Sequence, residues 1–241
     1  EKWFRNMNFK SVKRRKVHED VAEQIEGQIL SGRLEEGTNL PPERSLMEAF
    51  NVGRPAVREA LLLLQRDGFI EVSSSGRPIV ARPTATNVFE QLSGSARFLL
   101  SSKDGERSFQ DARRLFEAAI ARNAAEIATP EDIECIGAAL RANCEALGNA
   151  EAFERTDVEF HLAIAKTGNN AVFMALNAAI AEWLSMQRKV SLRVPGVEAR
   201  AYKSHEEIYG AIVVHQPEAA WLAMDLHLRD IIESFQKGNQ H

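Results

Sequence analysis

Four residues in the C-terminal two thirds of the chain have metal-ligating side chains. Of six histidines, His161, His205 and His227 fall inside helical hydrophobic patterns. Asp157 stands four residues before His161, which puts both on one helical face. Three helices could offer these four ligands to one point. Three imidazoles and one carboxylate suit zinc, nickel, manganese or iron and leave one or two positions open to water or an anion. With a divalent ion, such a site carries a net charge of about +1. The bland alternative is that each histidine is a hydrogen-bonded core residue, because the four form no local motif.

The N-terminal part offers a different chemistry. Arg44, Arg54 and Arg58 precede a turn-rich stretch containing Ser75, Gly76 and Arg77. Arg54 and Arg58 are four apart and share one face of a predicted helix, roughly opposite Leu61 and Leu64, so they can enter a groove together. Arginine reads guanine O6 and N7 bidentately and also grips phosphate. Three arginines alone could be a solvated face; their order within the elements below argues for a DNA-facing one. Arg113 and Glu117 form a further i, i+4 pair. On a surface such a pair contributes only a few tenths of a kcal/mol, whereas a buried arginine beside a cavity could clamp a carboxylate. His18 and His215 read as surface or capping residues. Cys135 and Cys144, nine apart in a helical pattern, offer neither a disulfide framework nor a cysteine zinc site, which fits a reducing cytoplasm.

The elements that must position these residues are legible from periodicity and breakers. Val21, Ile25, Ile29 and Leu30 mark a first helix over 17–30, stopped at Ser31-Gly32. Leu40-Pro41-Pro42-Glu43-Arg44 opens a short second helix through Phe50, and Asn51-Val52-Gly53 connects to a third over 54–67, ended by Gly68. Two strand-like segments, Phe69–Val72 and Pro78–Val80, flank Ser73–Arg77 and predict a β-hairpin wing. Arg82-Pro83-Thr84-Ala85-Thr86 breaks the pattern and predicts a domain boundary. Beyond it, helical patterns cover about 88–101, 108–127, 130–147, 151–166, 170–190, 199–214 and 217–236. The expected fold is mainly α: a basic arm at 1–16, a winged helix-turn-helix over 17–83, and an all-helical bundle of six or seven helices over 84–241. Charge follows this division, with 14 Lys and Arg against 12 Asp and Glu up to residue 83, and 16 against 22 after it. The run Lys10–Lys16 could be a solvated tail or an arm on phosphates.

The stretch from Gly32-Arg33-Leu34 through Leu40–Arg44, Asn51–Leu61 and Asp67-Gly68-Phe69 resembles the winged helix-turn-helix of GntR-type bacterial transcription regulators. The remainder is similar to the metal-binding FCD ligand domain of the FadR subfamily, through Arg113-x3-Glu117, Asp157-x3-His161 with Gly168-Asn169, Ser204-His205-Glu206 and Met224-x2-His227-Leu228. The resemblance implies DNA contacts at Arg44, Arg54, Arg58 and Gly76, with Gly53 and Ser75 beside them. Gly53 stands where the family usually has Ser or Thr, so that hydroxyl contact does not carry over. It also implies Asp157, His161, His205 and His227 as ligands of a divalent metal, zinc first, with nickel or manganese suiting the same set. Arg113 and Asn169 are implied as effector contacts. Asn51–Pro55, Leu92-Ser93-Gly94, Asp157–His161 and Phe173-Met174-Ala175 resemble the sialic-acid-responsive branch, which implies N-acetylneuraminate as effector; relatives answer to other sugar acids and small carboxylates.

The expectation is a homodimeric, ligand-responsive repressor of sugar-acid catabolism, binding operator double-stranded DNA in the bacterial cytoplasm at the nucleoid. A metalloenzyme on the bundle lacks support: the sequence has no HExxH, nucleophile elbow or phosphate-binding glycine loop, and no catalytic residue is identified. An architectural DNA-binding protein without effector leaves the Asp/His set unexplained. No apolar run approaches a bilayer span, and Glu1–Lys16 lacks the apolar stretch of a secretory signal.

Overall fold

The protein is described by a computed structural model over residues 16–72 and 76–238. Ser75 and the basic run before Lys16 lie outside the described residues. The chain divides into two compact units, one ending at Asn87 and the other beginning at Val88.

In the first unit, α1 (Val17–Leu30), α2 (Glu43–Phe50) and α3 (Arg54–Arg66) close around Val21, Ile25, Ile29, Leu46, Val57, Ala60 and Leu64. Asn51 ends α2 in the left-handed conformation, φ 51°, and Gly53 is the N-cap of α3 with no side chain to cap it. This tight connection fixes the angle between the two helices. Gly68, φ 80°, ends α3: its N–H donates to the Gln65 carbonyl at 3.1 Å and the Phe69 N–H to that of Leu64 at 2.8 Å. The chain then forms β1 (Ile70–Val72) and β2 (Pro78–Val80), antiparallel with Ile70 opposite Val80 and Glu71 opposite Ile79. The segment before α2 joins this ribbon. Gly37 N–H donates to Val80 O (2.9 Å), Val80 N–H to Thr38 O (2.8 Å) and Leu40 N–H to Pro78 O (2.9 Å).

The second unit is helical: α4 (Ala85–Leu99), α5 (Lys103–Ile127), α6 (Pro130–Glu145), α7 (Ala150–Lys166), α8 (Ala171–Trp183), α9 (Ser185–Leu192), α10 (Val197–Val213) and α11 (Pro217–Gly238), with a 3-10 turn at Thr167–Asn169. Side-chain caps set several starts. Thr129 and Asp132 form a capping box ahead of Pro130, and Asn149 and Asn170 accept from the first turns of α7 and α8. The 25-residue α5 packs on α11, α10 and α7. Ile136, Phe160, Ile164, Ile208, Ile212, Met224 and Leu228 fill the space between them, each contributing about 1.5–3 kcal/mol of burial.

Two local features depart from expectation. The 170–190 segment is two helices, broken at Leu184, and the Ala181 carbonyl in the last turn of α8 accepts from Arg188 Nη1 instead (3.2 Å). Among the described residues the bundle therefore holds eight α-helices, α4 to α11. The gap left between the predicted helices at 88–101 and 108–127 is also mostly helical, because α5 starts at Lys103. Ser102 caps α5 by accepting from Gly105 N–H at 3.1 Å, and Gly105 lies inside the first turn, where a Cβ would run into the Leu99 carbonyl.

Candidate functional site

The four residues picked out by residue type converge. Asp157 and His161 project from α7, His205 from α10 and His227 from α11, all buried, with one ligand atom of each within 4.8 Å of every other. His205 Nε2 lies 3.3 Å from His227 Nε2 and 3.5 Å from Asp157 Oδ1. A chain of hydrogen bonds aims this ring. Thr156 Oγ1 donates to the Ala152 carbonyl (3.0 Å), Asn143 Nδ2 donates to Thr156 Oγ1 (3.0 Å), and Asn143 Oδ1 accepts from His205 Nδ1 (3.0 Å). That leaves the Nε2 lone pair of His205 turned toward the cluster. Phe160 stacks on the same ring at 4.4 Å between centroids, giving it a dry backing.

Electrostatics keep the donors in ligating form. Burial pushes His205 down to about 3 and, with the neighbouring rings and Arg113, holds His227 well below its ordinary value, so both rings are neutral at pH 7. Burial alone would raise Asp157, but His161, His205 and two arginines outweigh it and hold the carboxyl low. Arg113 and Glu117, on α5, are 5% and 4% exposed. Arg113 Nε donates to Glu117 Oε1 at 2.8 Å, and Glu117 Oε2 lies 2.6 Å from His161 Nδ1 without hydrogen-bond alignment. His161 Nε2 has no hydrogen-bond partner, nor has Arg188 Nε, which faces Asp157 Oδ2 at 3.2 Å. Orphaned buried atoms converging on neutral imidazoles and a carboxylate fit a divalent cation held by Asp157, His161, His205 and His227. Beside them is a nearly closed cavity of about 10 Å³, room for one water, whose polar lining is Arg113, Asp157, Arg188, Ser191 and His227.

In the first unit Arg44 sits on the first turn of α2, exposed, with its Nε donating to Glu48 (3.1 Å). Arg54 and Arg58 share one acceptor: Arg54 Nε donates to Glu43 Oε2 at 2.9 Å and Arg58 Nε to Glu43 Oε1 at 3.1 Å. Hydrogen bonds from Arg54 hold the Glu43 carboxyl below its ordinary value despite some burial, with Arg58 adding to the effect. Gly76 is exposed at φ 77°.

Asn169 is not brought to the cluster. It is exposed, at φ 52° in the 3-10 turn, and does not line the cavity: with Gly168, φ 76°, it bends the chain from α7 into α8. His215, also at φ 52°, donates from Nδ1 to the Ala125 carbonyl (3.0 Å) between α10 and α11, and His18 Nδ1 meets Glu59 at 2.6 Å. Both cysteines are exposed thiols. Sequence reasoning missed Arg188, Asn143 and Glu43. None has a partner at helical spacing; Glu43 is 11 and 15 residues from its arginines and Asn143 is 62 from His205. A polar residue on a buried helix face is the one signal that could have marked Asn143 and Arg188.

Residues 17–79 match the family described as bacterial regulatory proteins, gntR family, and residues 109–230 match the FCD domain. The HTH-type transcriptional repressor NanR of Escherichia coli K12 is 38% identical over 235 residues, spanning 94% of this chain and 87% of that protein. The repressor of that name from Cronobacter sakazakii is 37% identical over 238 residues, 98% and 92% of the two chains. Among solved structures, Streptococcus agalactiae GntR superposes with a TM-score of 0.64 at 24% identity, over 90% of this chain and 99% of that one. Escherichia coli McbR/YncC does so at 0.52 and 17%, over 93% and 99%. These two likenesses show the fold, and the relatives and domains are those of transcription regulators, not enzymes. At 38% identity over nearly its whole length, with a DNA-reading unit followed by a helical one, the chain belongs to the GntR family of bacterial transcription regulators and carries an FCD domain.

Proposed function

We propose that this regulator is a cytoplasmic, homodimeric repressor of sugar-acid catabolism whose effector is N-acetylneuraminate, bound in the helical unit with its carboxylate at the Asp157, His161, His205 and His227 cluster. The observation that carries the reading is the buried set of three imidazoles and a carboxylate beside two arginines; the kinship with the NanR repressors supports the choice of acid. A divalent ion held there, zinc for preference, supplies a positive anchor for an oxygen anion. A neutral sugar would lack that anchor. Glu117 is tied to Arg113 and stands behind the His161 ring, 2.6 Å from its Nδ1. Asn143 fixes the His205 ring.

The cavity is far smaller than a nine-carbon acid, so binding must open the helices around it. Effector then shifts operator affinity by its differential affinity for the open and closed arrangements. Arg54 and Arg58, on the second helix of the helix-turn-helix, are proposed to enter the major groove, with Arg58 reading a base, Arg44 gripping backbone phosphate, and Gly53, Ser75 and Gly76 approaching the DNA beside them. Homodimerisation is supported by exposed leucines on α5 and α11: Leu115 and Leu226 each follow a member of the Arg114–Asp225 ion pair that ties the two helices, and Leu222 lies one turn from Leu226. A second copy covering this stripe would bring two DNA-reading units to two half-sites, multiplying affinity through effective concentration.

Calorimetry on the zinc-loaded protein tests the effector. N-acetylneuraminate binding is expected, and is expected to vanish after chelation and in the His205→Ala/His227→Ala double variant. Binding that survives loss of both histidines would sink the metal anchor. No binding to the intact loaded protein would sink the sialic-acid assignment and leave other carboxylates to be screened. Light scattering should give a dimer mass for the wild type and a monomer mass for Leu222→Glu/Leu226→Glu.

A further inference from the structure

We propose that Arg188 is the residue that recognises the effector's carboxylate, and that it guards the way into the cavity; this rests on the reading of that cavity as the effector site. Arg188 is 6% exposed, yet its Nε, 3.2 Å from Asp157 Oδ2, makes no hydrogen bond. Arg113, the other arginine in the cavity wall, already has its Nε hydrogen-bonded to Glu117. The charges sharpen the contrast. In the closed arrangement Glu117 offsets Arg113 and Asp157 offsets Arg188. A cation that takes Asp157 as a ligand removes the carboxylate nearest Arg188 and leaves a buried guanidinium beside a positive centre, a combination that calls for an anion. A carboxylate can meet this need with one oxygen toward the cluster and the other on the guanidinium, whose donor fork matches it.

Position makes the same side chain a gate. Arg188 lines the closed cavity and also an open groove of about 820 Å³ on the outer side, between α7 and α8–α9. Its helix, α9, is a short segment that breaks from α8 at Leu184, and the break is braced by the Arg188 bond to the Ala181 carbonyl. A ligand that draws the guanidinium away from Ala181 and Asp157 releases that brace and joins groove to cavity.

The test compares N-acetylneuraminate with its methyl ester, by calorimetry on zinc-loaded wild type, Arg188→Gln and Arg188→Lys, with zinc stoichiometry and operator affinity measured alongside. Wild type should prefer the acid strongly. Arg188→Gln should keep one zinc per chain, bind the acid about 10- to 100-fold more weakly, and lose most of the preference over the ester. Arg188→Lys should fall between, keeping charge without the fork; if the Gln variant does not fold, the Lys variant decides. Unchanged affinity and unchanged acid-over-ester preference in a folded variant would overturn the role of Arg188 while leaving the effector site standing. A wild type that binds neither N-acetylneuraminate nor a panel of small carboxylates would overturn the effector reading and this inference with it.

Discussion

The two units each contain a glutamate that binds arginine, and the settings differ in every respect that matters physically. Glu43 accepts from Arg54 and Arg58 at the surface, where the arginine side chains are 63% and 59% exposed. Glu117 accepts from Arg113 with both side chains within 5% of full burial. At the surface, water and salt compete for the pair and its net value is small, so the arginines can exchange the carboxylate for a phosphate or a guanine edge. In the interior no water can take a partner's place, so removing one costs the other its hydrogen-bonded counter-charge. The first arrangement suits recognition by exchange; the second fixes a wall.

Deleting each glutamate in turn separates the two settings. Glu117→Ala should destabilise the helical unit by about 3–5 kcal/mol in urea denaturation, because Arg113 becomes a buried unpaired cation. Glu43→Ala should change stability by no more than about 1 kcal/mol. Equal losses would refute the contrast. Next in size is the reading arginine: Arg58→Ala should lose about 1–3 kcal/mol of operator affinity and relax sequence preference, while Arg44→Ala should weaken all sequences alike and flatten the salt dependence. Gel shifts over operator variants at several salt concentrations read both. In the helical unit, Asn143→Ala frees the His205 ring and should cost about 10- to 100-fold in metal affinity by chelator competition.

Protonation gives a graded version of the same test. His205 binds a proton in the unfolded chain below about pH 6.5 but in the folded protein only near about 3. Between those values the unfolded state holds more protons, so stability falls as pH falls, by about 1.4 kcal/mol per unit for that ring alone in metal-free protein. Thermal melts taken downward from about pH 6.5 should show this fall steepening to that slope, and metal should suppress it. The smallest expected effect is at Gly53, where an added Cβ meets nothing nearer than Pro55 Cδ at 3.6 Å. Gly53→Ser should stabilise α3 by a few tenths of a kcal/mol through its N-cap and tighten operator binding if the hydroxyl reaches DNA.

How much was legible tracks how local the determining interaction is. The helix-turn-helix could be read because Pro42, Asn51, Gly53 and Gly68 each act on the backbone within a few residues. Asp157 and His161 could be paired because a helix fixes their spacing. His205 and His227 meet them only through the packing of α10 and α11, which no periodicity encodes. The break at Leu184 has no glycine, proline or other local breaker to mark it, and the Ala181 carbonyl it leaves free is met by Arg188 instead. Gly105 misled in the opposite direction. Its type suggests a turn, whereas its role is to let α5 begin under the Leu99 carbonyl.

The backbone bonds that stitch Thr38 and Leu40 to β2 carry a lesson for building hybrid regulators. Because the ribbon continues into the residues just ahead of Pro41-Pro42, the wing cannot be exchanged between relatives as a self-contained cassette: a graft joined between α3 and Pro83 would replace one side of three main-chain bonds and leave the other behind. Segment 37–40 must travel with the hairpin. The wing and the start of α2 form one tool head, and a chimera that respects that seam should keep its grip on DNA while one cut across it should not.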